Sequence, residues 1–255
     1  MITHTKAYLR LRKQAKEMWD FTVTVCYAIP SLKEQIRLVR KGAEGISLPP
    51  PYYFNNSMSL DEVQSRSADY RSKLSRYIVL SSFSFFEAYV IDAIAEMMEF
   101  HDGLNIFIDR TQQRAEESIL TMDSSIIKSK RKLQEPEKPA KAQKYQKYSK
   151  ELVEAGHKFP SELLASYGVR LLAEKIKNLK SVDIPDLLIQ ALHCKIDAQR
   201  FHQIRDIRNK IAHGRTGEVR LILTKAIKIN DDLRNFATTI DKHLIEHYFV
   251  LEKYA

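Results

Sequence analysis

Glycine is scarce in this chain, with seven in 255 residues against a usual share of roughly 7%. Seven scattered glycines cannot build a Rossmann fingerprint or a Walker loop, so the common nucleotide cradles are excluded. Only two cysteines occur, Cys26 and Cys194, too few and too far apart for a disulfide framework or a structural zinc site. A reducing cytoplasm is the expected location. Neither His-Glu-x-x-His nor Cys-x-x-Cys is present, and neither a metal nor a cofactor is expected. His193 and Cys194 are adjacent, which on a helix turns them about 100° apart and leaves a Cys–His nucleophile without its geometry. His243 and His247, four apart, read as a surface pair on the last helix. No long uninterrupted apolar run exists either. Residues 77–98 come nearest, but Glu87, Asp92 and Glu96 interrupt them, which favours a buried core helix over a membrane span. The basic start, Met1 to Arg12, is followed by no apolar stretch of the kind a secretion signal needs.

What remains is rich in Leu, Ile, Ala, Glu and Lys, the residues that favour helices. The spacing predicts an all-α protein, with a first helix from about Thr5 to Ile29 and a second of about ten residues started by Pro30-Ser31. Gly45, Pro49-Pro50-Pro51 and Asn55-Asn56 mark a loop over 42–58. Ser59-Leu60-Asp61-Glu62 reads as a capping box opening a helical pattern that reaches Phe100 and stops at His101-Asp102-Gly103. Further helices are expected over Thr111–Lys132, from Pro160 to Asn178, and from Asp183-Ile184-Pro185, either continuing or breaking briefly into the motif helix. Residues 218–223 are ambiguous between an extended piece and a helix start, and the last helix is expected over Asp231–Lys253. Three units follow: an N-terminal helical extension (1–41) that either joins the core or stands apart, the loop, and a helical domain over 59–255.

The formal net charge is +9, which favours a polyanionic partner. Lys128 to Lys158 carries ten Lys or Arg against four Glu, with Lys138, Lys141, Lys144, Lys147 and Lys150 at three-residue steps and Tyr145 and Tyr148 between them. Two readings of this basic inter-helix connection stand: a solvated linker, flagged by Pro136 and Pro139, or a docking strip for RNA or a partner.

The densest chemistry lies at Arg208-Asn209-Lys210-Ile211-Ala212-His213-Gly214. A permanent cation, an amide and an imidazole fall within six residues, just before a glycine suited to ending a helix. Ile204, Ile207 and Ile211 recur at the steps of a buried stripe, while His202, Arg205 or Asp206, Asn209 and His213 form a polar one. Arg208 and His213 are five apart, so on an ideal helix they diverge by about 140°. Imidazole titrates near neutrality and moves protons, and guanidinium stabilises developing phosphate charge. Together they suit phosphodiester chemistry.

Arg208-Asn209-x-x-Ala-His213 resembles the Arg-polar-x-x-x-His signature of the HEPN superfamily. The apolar helix Arg76–Phe100 with Phe86-Glu87-Ala88-Tyr89 is similar to an early helix of several families within it, and the resemblance covers residues 60–255. It implies an all-α HEPN-like helical bundle and a metal-independent endoribonuclease, leaving 2′,3′-cyclic phosphate and 5′-hydroxyl ends. On that basis His213 would transfer protons, Arg208 would stabilise the phosphorane, and Asn209 would orient His213 or a phosphate oxygen. Glu87 and Asp206 are the acidic side chains expected to support the site, and Arg205, Lys210 and Arg215 the expected RNA contacts. One histidine cannot serve as both acid and base in one subunit. A two-fold homodimer with a composite site, common among HEPN nucleases, would supply the second. The resemblance further implies RNA as substrate, a toxin or anti-phage defence role, an antitoxin or sensor partner and no membrane. The competing expectation is a non-catalytic scaffold that binds nucleic acid or a partner.

Overall fold

The computed structural model describes residues 2–48, 58–107, 172, 175–176, 178–215, 217 and 221–249. Among these residues every regular element is helical, as the sequence predicts. The elements are α1 (Lys6–Arg40), α2 (Leu60–Ala68), α3 (Tyr70–Phe100), α4 (Ile184–Asp186), α5 (Ala198–Ala212) and α6 (Leu223–His247). A π-helical turn, Leu187–Ala191, continues α4 directly. The expected helices over Thr111–Lys132 and Pro160–Asn178 lie almost wholly outside the described residues, and the basic segment 128–158 lies entirely outside them.

The bundle is organised around α3, against which α1, α5 and α6 all pack. Three neighbours require a wide apolar face, and α3 supplies it: Ile78, Val79, Phe83, Phe86, Tyr89, Val90, Ala93, Ile94 and Met97 are all buried. Its length and composition would suit a membrane crossing. Here those side chains instead form the centre of the core cluster, shared with Leu11 and Met18 of α1, Phe201 and Ile204 of α5, and Leu233, Ile240 and Leu244 of α6.

The start of α1 is fastened on two sides. Thr5 is the N-cap, its hydroxyl accepting from the Tyr8 backbone N–H. The buried Asp241 carboxylate on α6 accepts from the Thr5 backbone N–H at 3.1 Å, the Thr5 hydroxyl at 2.6 Å and His4 Nδ1 at 2.8 Å. Glu96 on α3 accepts from the Lys6 and Ala7 N–H groups at 2.9 and 3.1 Å. Two carboxylates thus take up N–H groups that a helix leaves unpaired, at the end where its dipole favours negative charge.

Three boundaries differ from the sequence reading. The first helix does not stop at Ile29 but runs through Pro30 to Arg40 as one element. Proline removes one N–H and crowds the preceding turn. Ile36 beyond it is buried, and the Lys33 ammonium donates to the Ala68 carbonyl, so contacts on the far side hold the helix together. The pattern from Ser59 divides at Asp69 into α2 and α3, although the Ser59/Glu62 capping box forms as expected. The last helix begins at Leu223, eight residues before Asp231, because Ala226, Ile229 and Asn230 are already buried.

His243 and His247 do stack at 4.6 Å between ring centroids, but they are not a surface pair. His247 is buried, and His243 Nε2 donates to the Leu192 carbonyl at 2.6 Å. Burial first, then the neighbouring His247, pushes the His243 imidazole down to about 4. The unfolded chain, titrating near 6.5, therefore takes up this proton earlier than the folded one. Stability is expected to be full above that value and to fall as pH drops from about 6.5 to 4, by on the order of 2–3 kcal/mol from this group. Urea midpoints across that range, flattened by His243→Gln, would check it.

Candidate active site

Helix α5 carries the motif and ends where the sequence predicts. Asp197 caps its start, accepting from the Arg200 N–H. At the other end the Arg215 N–H reaches the Lys210 carbonyl at 2.8 Å and the Gly214 N–H reaches that of Ile211 at 3.1 Å. This is the Schellman pattern, and it requires the left-handed backbone that Gly214 adopts at φ 72°. Phe201, Ile204 and Ile211 anchor the helix in the core. His213 is the C-cap residue and is exposed. Among the described residues its ring makes no hydrogen bond or ion pair.

Arg208 sits on the flank that faces α3. Its Nη2 donates to Glu87 Oε2 at 3.1 Å, and its guanidinium carbon lies 5.2 Å from the centre of the Phe83 ring. Phe83 is one turn before Glu87, so α3 presents a carboxylate and an aromatic face together. The pair is partly shielded, with side-chain exposures of 27% for Arg208 and 22% for Glu87. Burial pushes the Glu87 carboxyl above its usual range, even though Arg208 and a hydrogen bond from Ser181 pull it down. Desolvation thus outweighs the attraction of the paired cation. Arg208 is positioned by the Glu87 carboxylate and the Asn209 amide oxygen.

The Asn209 side chain meets Arg208 and not His213, one of its two expected partners. Its amide oxygen accepts from Arg208 Nη1 at 3.0 Å, so the side chain steers the arginine, while only its backbone carbonyl touches residue 213, accepting the His213 N–H at 2.9 Å. The cause is proximity, since the long Arg208 stem folds back over its neighbour. Asp206 is exposed and meets Arg205 Nη2 at 3.4 Å, away from Arg208. Lys210 and Arg215 are exposed beside the motif. The structure therefore brings Arg208, Asn209 and Glu87 together and leaves His213 on a different flank, as their five-residue spacing dictates. Sequence reasoning missed Phe83 and Ser181. The step of four between Phe83 and Glu87 was a readable signal for the first, whereas Ser181 lies on a distant segment that no local pattern connects to the site.

A family model described as RiboL-PSP-HEPN matches residues 54–246, about three quarters of the chain. The chain belongs to the RiboL-PSP-HEPN family. The match runs from just before α2 nearly to the end of α6, and so contains every residue of the candidate site while leaving α1 outside it. No curated protein and no solved structure matches the chain. HEPN proteins are all-α and are commonly ribonucleases, in keeping with a bundle whose motif helix packs on the helix that carries Glu87.

Proposed function

We propose that this HEPN protein is a metal-independent endoribonuclease. The observation that carries the reading is the placement of Arg208 beside the motif histidine's helix end: ion-paired to Glu87, backed by Phe83 and 27% exposed, so that an incoming phosphate can reach it. A phosphate gaining charge toward the phosphorane is a stronger acceptor than that carboxylate and would recruit the guanidinium. The ribose 2′-oxygen attacks phosphorus, its proton passes to a base, the bond from phosphorus to O5′ breaks, and O5′ receives a proton. The ends are a 2′,3′-cyclic phosphate and a 5′-hydroxyl, with no water consumed in this step. His213 is assigned proton transfer, while Lys210 and Arg215 contact the RNA backbone.

One histidine cannot hold both proton roles in one cleft, and it faces about 140° away from Arg208. A second copy related by two-fold symmetry would present its own His213 opposite, forming a composite site from two exposed helix ends. The cellular setting we favour is a cytoplasmic toxin or anti-phage effector restrained by an antitoxin or sensor protein.

The test is cleavage of total RNA by wild-type, Arg208→Ala and His213→Ala proteins with and without EDTA. Arg208→Ala is expected to lower the rate by roughly 10²–10³-fold and His213→Ala by roughly 10²–10⁴-fold, with wild-type activity untouched by chelation. Equal behaviour of all three would leave a non-catalytic scaffold as the better reading. Glu87→Gln keeps an acceptor for Arg208 but not the charge. As a positioning change it should lower the rate by roughly tenfold, and full activity would remove Glu87 from the site.

A further inference from the structure

Arg205 on α5, expected from the sequence to contact RNA, has been given no place in the site so far. It lies one turn before Arg208 and on the side turned toward His213, by about 60° from the former and 80° from the latter. Its side chain is only 19% exposed. Two of its guanidinium nitrogens, Nε and Nη1, are buried without a hydrogen-bond partner among the described residues. The third, Nη2, has only the long 3.4 Å contact with exposed Asp206. His202, one turn further back on the same flank, has Nδ1 buried in the same unpartnered condition.

Guanidinium donors are the costliest groups to leave unsatisfied, because burial removes their water while the charge cannot be shed. A free surface arginine on a solvated face would keep its water, and a structural one would find a carboxylate, as Arg200 does with Asp232 at 2.6 Å. Arg205 has only the long contact of Nη2 with exposed Asp206, and its other two nitrogens meet no acceptor among the described residues. We propose that Arg205, with His202 beside it, forms an anion subsite that takes a non-scissile phosphate of the RNA chain, on the N-terminal side of the motif along α5. The inference rests on the ribonuclease reading and extends it, since it gives the RNA a direction across the helix. From His213 the strand would pass Asn209 toward Arg205 and His202, a span of about 16 Å at the rise of an α-helix. A phosphate is favoured over a partner's carboxylate because the donors line up with Arg208 and His213 on one element and the surrounding charge is positive.

Two measurements together test this. In the free protein, Arg205→Gln removes a largely buried charge whose Nε and Nη1 have no acceptor among the described residues and whose Nη2 meets only exposed Asp206, so the melting temperature should hold or rise by roughly 2–4 °C. A residue with a merely structural role would lower it. The second measurement uses a His213→Ala background, where RNA is bound without being cut, and titrates a single-stranded oligoribonucleotide over a range of salt. Adding Arg205→Gln should lower the slope of log K against log salt by about 0.7, the value of one phosphate contact to a single strand. Replacing one non-scissile phosphate by a methylphosphonate should weaken binding equally, with no further loss when both changes are combined. A lowered melting temperature overturns the subsite. So does an unchanged salt slope, including the case in which Arg205→Gln instead dissociates a dimer, which would assign the arginine to a partner's carboxylate. If the His213→Ala protein itself binds no RNA, the ribonuclease reading fails along with the subsite. The combination of wild-type cleavage and an unchanged slope removes the subsite alone.

Discussion

Mixed dimers of wild-type and His213→Ala subunits should cleave RNA at far less than half the wild-type rate. Two independent sites would leave one intact per mixed dimer and keep half the activity. A composite cleft has no intact copy, because removing one imidazole removes either the acid or the base from the only reaction centre. General acid–base catalysis contributes roughly 10²–10⁴-fold for each group, so the mixed species should be nearly as inactive as the double variant. Differently tagged subunits, co-expressed and purified through both tags, give the rate per dimer. Half or more of the wild-type rate would end the shared-cleft idea, and the 140° divergence of Arg208 and His213 would then need an answer within one subunit.

The second large effect concerns stability. Asp241→Ala should destabilise the fold by about 3 kcal/mol. Asp241 is fully buried and accepts three hydrogen bonds at the start of α1. Alanine leaves the Thr5 N–H and hydroxyl enclosed without an acceptor and opens a void where the carboxylate stood. For a protein of this size the midpoint of thermal unfolding should fall by roughly 6–12 °C. Thermal melts of Asp241→Ala beside Arg10→Ala make the comparison. The Arg10–Asp92 pair is 60% and 41% exposed, and its loss should cost under about 1 kcal/mol. Equal losses in the two variants would show that the buried carboxylate has no special weight.

The sequence made the helical class and the motif helix legible because both depend on local rules. Apolar steps of three and four gave the stripe on α5, and Gly214 gave its end. The Ser59/Glu62 capping box was equally local. What escaped depended on distant packing. Pro30 reads as a boundary by its own chemistry, and only the burial of Ile36 and the Lys33–Ala68 contact beyond it explain why α1 continues. Asn209 looked able to serve His213 because both lie on one flank, but the Arg208 fork was nearer. The enclosed His243 was read as a surface group since nothing local announces that Leu192 and Tyr248 close over it. At the site, Arg208 and His213 were named from spacing, whereas the Phe83–Glu87 platform became visible only once α3 and α5 were set side by side.

Helix α1 lies outside the stretch that matches the family, yet Ala7, Tyr8, Leu11 and Met18 belong to the same core as Phe86 and Leu233. A fragment trimmed to 54–246 would bare one whole side of α3 and leave Asp241 and Glu96 facing solvent with nothing to grip. In this chain the HEPN unit is thus no detachable cassette: its leading helix is a rib of the same hull, and transplanting the unit into another protein would require carrying that rib along.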